Sequence, residues 1–197
     1  MTTIKVILIG ESGVGKTSII RVSNGEQFNE DEHSNLSVSF YRKQMNFENK
    51  SYTLELWDTI GQENLRVINT LFYNNSRIVI FVYDITSKES FNNLSFWIEE
   101  VKKQIGNNGY VKAIIGNKID LYLKEAVNED EAENLAKEIN AKFYRMSAKE
   151  DDKKKIEKFF EELICEYIKL NIKEDDSRIS LTEDKAFNKK TKSKKCC

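Results

Sequence analysis

The chain of 197 residues is poor in cysteine and histidine, and it has no uninterrupted apolar run of about 18 residues. Its three cysteines cannot build a disulfide framework, and two of them, Cys196 and Cys197, are terminal, which favours a reducing compartment. Without a long apolar run no spanning helix is expected. The start, Met1-Thr2-Thr3-Ile4, lacks the basic region, apolar stretch and cleavage site of a secretion signal, and Thr2 in place of glycine removes the myristoylation pattern. Any membrane is therefore expected to be met from the cytosolic side. Charge of one sign is also lacking: 31 Lys plus Arg against 32 Asp plus Glu argues against nucleic acid as a partner. The single histidine, His33, sits in a polar loop, reads as a solvated side chain, and is given no role.

What is present is the making of one globular domain with an appendage. Apolar residues at 40% and aromatics at 11% exclude disorder for the chain as a whole, and 32% charged residues provide a solvated surface. Short β-branched runs at Ile4 to Ile9, Tyr52 to Trp57, Arg77 to Tyr83, Val111 to Gly116 and Lys142 to Met146 read as strands. Between and after them lie segments of helical period. One is Phe91, Leu94, Ile98, Val101 and Ile105; another is Ala132, Leu135, Ala136 and Ile139; the last is Ile156, Phe159, Phe160, Leu163, Ile164, Tyr167 and Ile168. Val38 to Phe47 followed by Glu48-Asn49-Lys50 predicts a hairpin that adds an antiparallel edge strand. The expected fold is α/β: a doubly wound, mostly parallel six-stranded sheet with one antiparallel edge strand, with ligands at the carboxyl ends of the strands. The domain is expected over 1–172, and 173–197 as a flexible tether with six lysines and no acid from Lys185 to Lys195.

Gly10-Glu11-Ser12-Gly13-Val14-Gly15-Lys16-Thr17 follows the first strand and precedes Ser18-Ile19-Ile20, which is the context that the G-x-x-x-x-G-K-[ST] pattern of a P-loop requires. The glycines let the backbone wrap phosphate oxygens, the following helix offers its positive end, and Lys16 adds a full charge at the β- and γ-phosphates. Thr17 can give its hydroxyl to magnesium. At the end of a later strand, Asp58 brings a carboxylate to the same metal; Gly61 lets an N–H approach the γ-phosphate, and Gln62 can orient the attacking water. Alone, that run could be an acidic turn capping a helix; with the P-loop upstream it reads as part of one site. Gly116-Asn117-Lys118-Ile119-Asp120 and Ser147-Ala148-Lys149 also end strands. The Asp120 carboxylate only accepts, so it matches the two adjacent donors of guanine and is repelled by the ring acceptor of adenine. Asn117 can bond the other edge of the base, the Lys118 stem can cover its face, and the Ala148 N–H can reach its carbonyl oxygen.

These four motifs, in this order and at these separations, resemble the Ras superfamily of small GTPases over residues 1 to about 172. Within it Trp57-Asp58-Thr59-x-Gly61-Gln62-Glu63, Tyr83-Asp84-Ile85-Thr86, Glu89-Ser90-Phe91-Asn92-Asn93 and the terminal Cys196-Cys197 are most similar to the Rab family. The resemblance implies a switch that binds GTP or GDP with Mg²⁺, hydrolyses GTP and recruits effectors in vesicle trafficking. It implies Phe28 stacked on the guanine, and an exposed aromatic cluster of Trp57, Phe72 and Tyr73 meeting effectors, although Trp57 could equally be sheet packing. It also implies a monomer served by an exchange factor, a GTPase-activating protein, a prenylation escort and a GDP-dissociation inhibitor. Cys196 and Cys197 would be geranylgeranylated, placing the protein on the cytosolic face of an intracellular membrane with a soluble pool. Departures from the family are concentrated near the γ-phosphate. Ser34 is followed by Asn35-Leu36-Ser37 where a magnesium-binding threonine is usual, and Ile60 replaces an alanine. An alternative therefore stands beside the enzyme: a nucleotide-dependent binding module with little turnover.

Overall fold

A computed structural model describes residues 2–29, 39–58, 70–151 and 153–171. Six strands are formed in chain order: β1 Thr2–Ile9, β2 Ser39–Phe47, β3 Lys50–Asp58, β4 Ile78–Asp84, β5 Val111–Asn117 and β6 Lys142–Arg145. They build one sheet in the order β2-β3-β1-β4-β5-β6, with every neighbouring pair parallel except β2 with β3. The helices are α1 Lys16–Ser23, α2 Thr70–Tyr73, α3 Lys88–Asn92, α4 Leu94–Ile105, α5 Glu129–Glu138 and α6, residues 153–171. The expected α/β sheet with an antiparallel edge is the fold observed.

The sheet is buried on both faces, which is why its central strands are apolar without interruption. Alternate side chains of β1 go to opposite sides. Ile4, Val6 and Leu8 join Ile19, Ile20, Ile156, Phe160 and Leu163 from α1 and α6, whereas Ile7 and Ile9 join Leu94, Trp97, Val101 and Ala132 from α4 and α5. Each fully buried Ile or Leu stabilises the fold by about 1.5–3 kcal/mol relative to exposure. The β2–β3 turn is set by Glu48 and Asn49 at φ +48° and +59°, and Phe47 pairs with Lys50 across it, giving a two-residue hairpin of the primed type. α5 starts where the Asn128 side chain accepts from the Asp130 N–H, with Glu129, Asp130 and Glu131 in its first turn complementing the helix dipole.

Two expectations need correction. The single helix from Phe91 to Ile105 is divided into α3 and α4 at Asn93. Short polar side chains there bond the backbone: Ser90 Oγ donates to Ser87 O at 2.8 Å and Ser95 Oγ donates to Asn92 O at 2.9 Å. Asn93 keeps helical angles, φ −70° and ψ −10°, so the apolar face continues across the break. The aromatic cluster is not an exposed one. Phe72 and Tyr73 are 5% and 1% exposed, because α2 seats them on the second core, and Trp57 is half-buried. Beside Trp57 the exposed ring is Phe40 of β2, at 42%, which meets it edge-on at 5.3 Å.

Candidate functional site

Because β1, β3, β4, β5 and β6 run parallel, their carboxyl ends converge at one edge of the sheet, and every described candidate residue except Phe28 is the last residue of a strand there or comes from a loop leaving that edge or the helix it enters. The loop from Gly10 to Gly15 runs between β1 and α1. Two of its glycines are required by close approach. A Cβ on Gly10, at φ +154°, would stand 2.1 Å from Val82 O, and one on Gly15, at φ +95°, would stand 2.2 Å from Asn117 Nδ2. Gly15 is also the N-cap of α1 and makes no side-chain cap, so the first N–H groups of the helix face the loop. Ser12 and Gly13 are exposed on its rim, Val14 is buried, and Ser18 is partly buried in the first turn of α1.

Lys16 is only 5% exposed, and its ammonium donates to Gly10 O at 2.9 Å and Glu11 O at 2.7 Å. Burial lowers its pKa to about 8, against the raising influence of the Asp58 and Glu11 carboxylates. A desolvated cation held by loop carbonyls is suited to a polyanion that would restore its compensation. Beside it Thr17 Oγ1 donates to Asp58 Oδ2 at 2.5 Å, which brings the end of β3 to the first turn of α1. A hydroxyl and a carboxylate, both hard oxygen donors, fit magnesium.

Asn117, the last residue of β5 and 1% exposed, ties three loops together. Its Nδ2 donates to Val14 O at 2.8 Å in the phosphate loop, and its Oδ1 accepts from the Ala148 N–H at 3.2 Å. Ser147 Oγ donates to Asp120 Oδ1 at 2.6 Å and accepts from the Lys149 and Glu150 N–H groups at 3.2 and 3.0 Å. Asp120 is thus held from the β6 side. Lys118 has φ +68°, and its ammonium pairs with Asp84 Oδ2 at 2.7 Å, so the stem crosses from the end of β5 toward that of β4. Outside this set, Arg145 bonds Glu125 at 2.8 Å and also Glu129, bracing the segment after Asp120 against β6. Phe28 is partly buried against the core face that contains Val14 and Ala148.

Asn35, Gly61 and Gln62, with His33 and Ile60, lie outside the described residues, as do Cys196 and Cys197. Sequence reasoning missed the bond of Asn117 to the phosphate loop, the Asp84 partner of Lys118 and a bond from Trp97 Nε1 to Glu11 Oε1 at 2.9 Å. None has a periodic signal; each joins residues more than 30 positions apart. Asp84 alone was within reach, standing in the Tyr83-Asp84-Ile85-Thr86 motif.

The sequence profile of the Ras family matches residues 5–169. The chain is 40% identical over 159 residues to Ras-related protein Rab-21 of Homo sapiens, covering 81% of this chain and 69% of that one. The same protein of Canis lupus familiaris is 40% identical, covering 81% and 70%. Ras-related protein Rab-13 of Rattus norvegicus is 37% identical over 145 residues, covering 74% and 71%. With the phosphate loop, the Thr17–Asp58 pair and the Asn117–Asp120–Ser147 cluster on one edge of the sheet, the chain belongs to the Ras family as a small GTPase of the Rab type.

Proposed function

We propose that this chain is a GTP/GDP switch of membrane trafficking, with the nucleotide lying along the carboxyl edge of the sheet. The observation that carries this reading is Asn117, which joins the phosphate loop at Val14 to the base-side loop at Ala148. One buried amide sets the distance between the place for phosphates and the place for a base.

In this reading Ser12, Gly13, Val14, Gly15, Lys16, Thr17 and Ser18 hold the phosphates. Asp120, oriented by the Ser147 hydroxyl, accepts from the two guanine donors, and an adenine would leave that carboxylate facing an acceptor. Lys118 and Phe28 cover the base, and Ala148 and Lys149 close its far edge. Thr17 and Asp58, with Asn35, would hold a magnesium ion, which when bound neutralises phosphate charge. Gln62 orients a water whose oxygen attacks the γ-phosphorus, Gly61 offers an N–H, and Lys16 stabilises the charge gathering on the bridging oxygen as that bond breaks, giving GDP and phosphate. Effectors and an activating protein then read the loops around Asn35 and Gln62, and an exchange factor and a GDP-dissociation inhibitor act on the GDP form.

Among the described residues no helix is long and apolar enough to cross a membrane. Membrane attachment is assigned to Cys196 and Cys197, delivered by a prenylation escort. Two lipid chains anchor stably where one is marginal, and the lysines of 185–195 add about 1 kcal/mol each near an anionic leaflet. Asn35 and Ile60 favour slow turnover, so the chain spends longer in its GTP form than relatives that carry the usual residues. The test is chromatography of nucleotide released from the purified protein, followed by competition of GDP and ADP for it. Stoichiometric GDP or GTP, displaced by GDP and untouched by ADP, supports the reading; release or preference of an adenine nucleotide overturns it.

A further inference from the structure

The motif positions of a P-loop leave the residue after its first glycine unspecified, and here that residue is a glutamate. A carboxylate in a loop that wraps phosphates is a liability. It lies within a few ångströms of the anions and repels them unless it is turned away and compensated. Glu11 is so turned. Its carbonyl accepts from Lys16 Nζ at 2.7 Å inside the loop, while its Oε1 accepts from Trp97 Nε1 at 2.9 Å outside it. Trp97 is 4% exposed, and its place on α4 is fixed by the second core through Leu94 and Val101. The indole N–H is a donor only, and it arrives on a helix rather than on a loop.

We propose that Trp97 is a positioning residue for the phosphate loop: its indole N–H parks the Glu11 carboxylate away from the phosphates and fixes the Glu11 backbone so that its carbonyl meets Lys16. Without the indole N–H the carboxylate regains its rotamers and can swing toward the anions, so phosphate affinity falls. The loss belongs to the charge on Glu11, not to packing around Trp97. α4 thereby becomes a support of the nucleotide site, 86 residues from the loop it holds.

This inference rests on the nucleotide reading above, and the experiment separates the two. Dissociation of fluorescently labelled GDP is measured for the full chain, for Trp97→Phe, for Glu11→Gln and for the double variant, each checked for its melting temperature. Phenylalanine keeps an aromatic ring in the core and removes the donor, and the volume lost with the indole is common to the single and the double variant, so their comparison isolates the carboxylate. Trp97→Phe is expected to release GDP about tenfold faster, as for loss of a hydrogen bond to a charged group. In the double variant, where no carboxylate remains to swing, dissociation is expected to return to within about twofold of the Glu11→Gln rate. Acceleration that persists in full in the double variant would assign Trp97 to packing alone and overturn the proposal, as would a Trp97→Phe rate equal to that of the natural chain. A natural chain that holds no GDP would overturn the nucleotide reading and this inference together.

Discussion

Asn117→Ala tests whether the phosphate and base loops are held by one amide. The substitution deletes two hydrogen bonds at once, the one given to Val14 O at 2.8 Å and the one accepted from the Ala148 N–H at 3.2 Å. Val14 is 1% exposed and Ala148 is 5% exposed, so water cannot readily replace either partner. A buried backbone group left without a partner costs about 1–3 kcal/mol, so the pair of losses costs about 2–6 kcal/mol. For a domain of this size each kcal/mol lowers the midpoint by about 2–4 °C, and a fall of roughly 4–24 °C is expected. The assay is thermal melting followed by circular dichroism, with nucleotide stripped from both proteins, because bound ligand adds its own stabilisation. Asn117→Asp is the companion. It keeps an oxygen for the Ala148 N–H but turns an acceptor toward Val14 O, so it is expected to lose at least as much. If stripped Asn117→Ala melts within about 2 °C of the natural chain, the amide does not brace the loops and the reasoning fails.

Burial of Lys16 predicts a pH effect. Its pKa in the ligand-free fold is about 8 against an ordinary 10.5, so the unfolded chain binds more protons across that window, and ligand-free stability rises from pH 8 toward 10.5. Phosphate restores the proton, so nucleotide binding takes up a proton above pH 8 and weakens as pH rises; calorimetry in buffers of different ionisation enthalpy measures the uptake, and none at pH 9 would contradict the assignment. Deleting Cys196 and Cys197 is expected to leave nucleotide binding intact and to abolish sedimentation with membranes in cell fractionation; persistent sedimentation would shift the anchoring to the lysines or to a protein. Asn35→Thr is expected to speed single-turnover hydrolysis of radiolabelled GTP about tenfold, because a contact worth about 1.5 kcal/mol returns at the shorter reach that magnesium geometry favours. An unchanged rate would show that asparagine serves as well.

The parallel sheet was legible because burial on both faces writes itself as continuous apolar runs, such as Ile78 to Tyr83, and the hairpin because Phe47 and Tyr52 flank a polar Glu48-Asn49 turn. The phosphate loop was legible because its glycines are demanded locally, by the approach of Val82 O and of the Asn117 side chain. The division of α3 from α4 was not, since Asn93 keeps helical angles and the apolar period runs through it. Nor was the burial of Phe72 and Tyr73, which depends on where α2 lands on the second core and not on any periodic pattern. The braces of the site were hidden for the same reason. Lys118 and Asp84 lie on different strands, and Trp97 and Glu11 on a helix and a loop; only the assembled sheet brings each pair together.

The most direct test of a guanine switch is the nucleotide preference of Asp120→Asn. Its carboxylate, held by the Ser147 hydroxyl at 2.6 Å, is assigned to the two donors of guanine, and an amide can instead donate to the added carbonyl of xanthine. Affinities of GDP and XDP are measured by competition for both proteins. Loss of a charge-assisted double hydrogen bond is expected to weaken GDP by about 3 kcal/mol or more, a factor beyond about one hundred, while XDP gains and the order of preference inverts. GDP affinity unchanged by the substitution, with XDP still excluded, would contradict the assignment of Asp120 and with it the account of base selection.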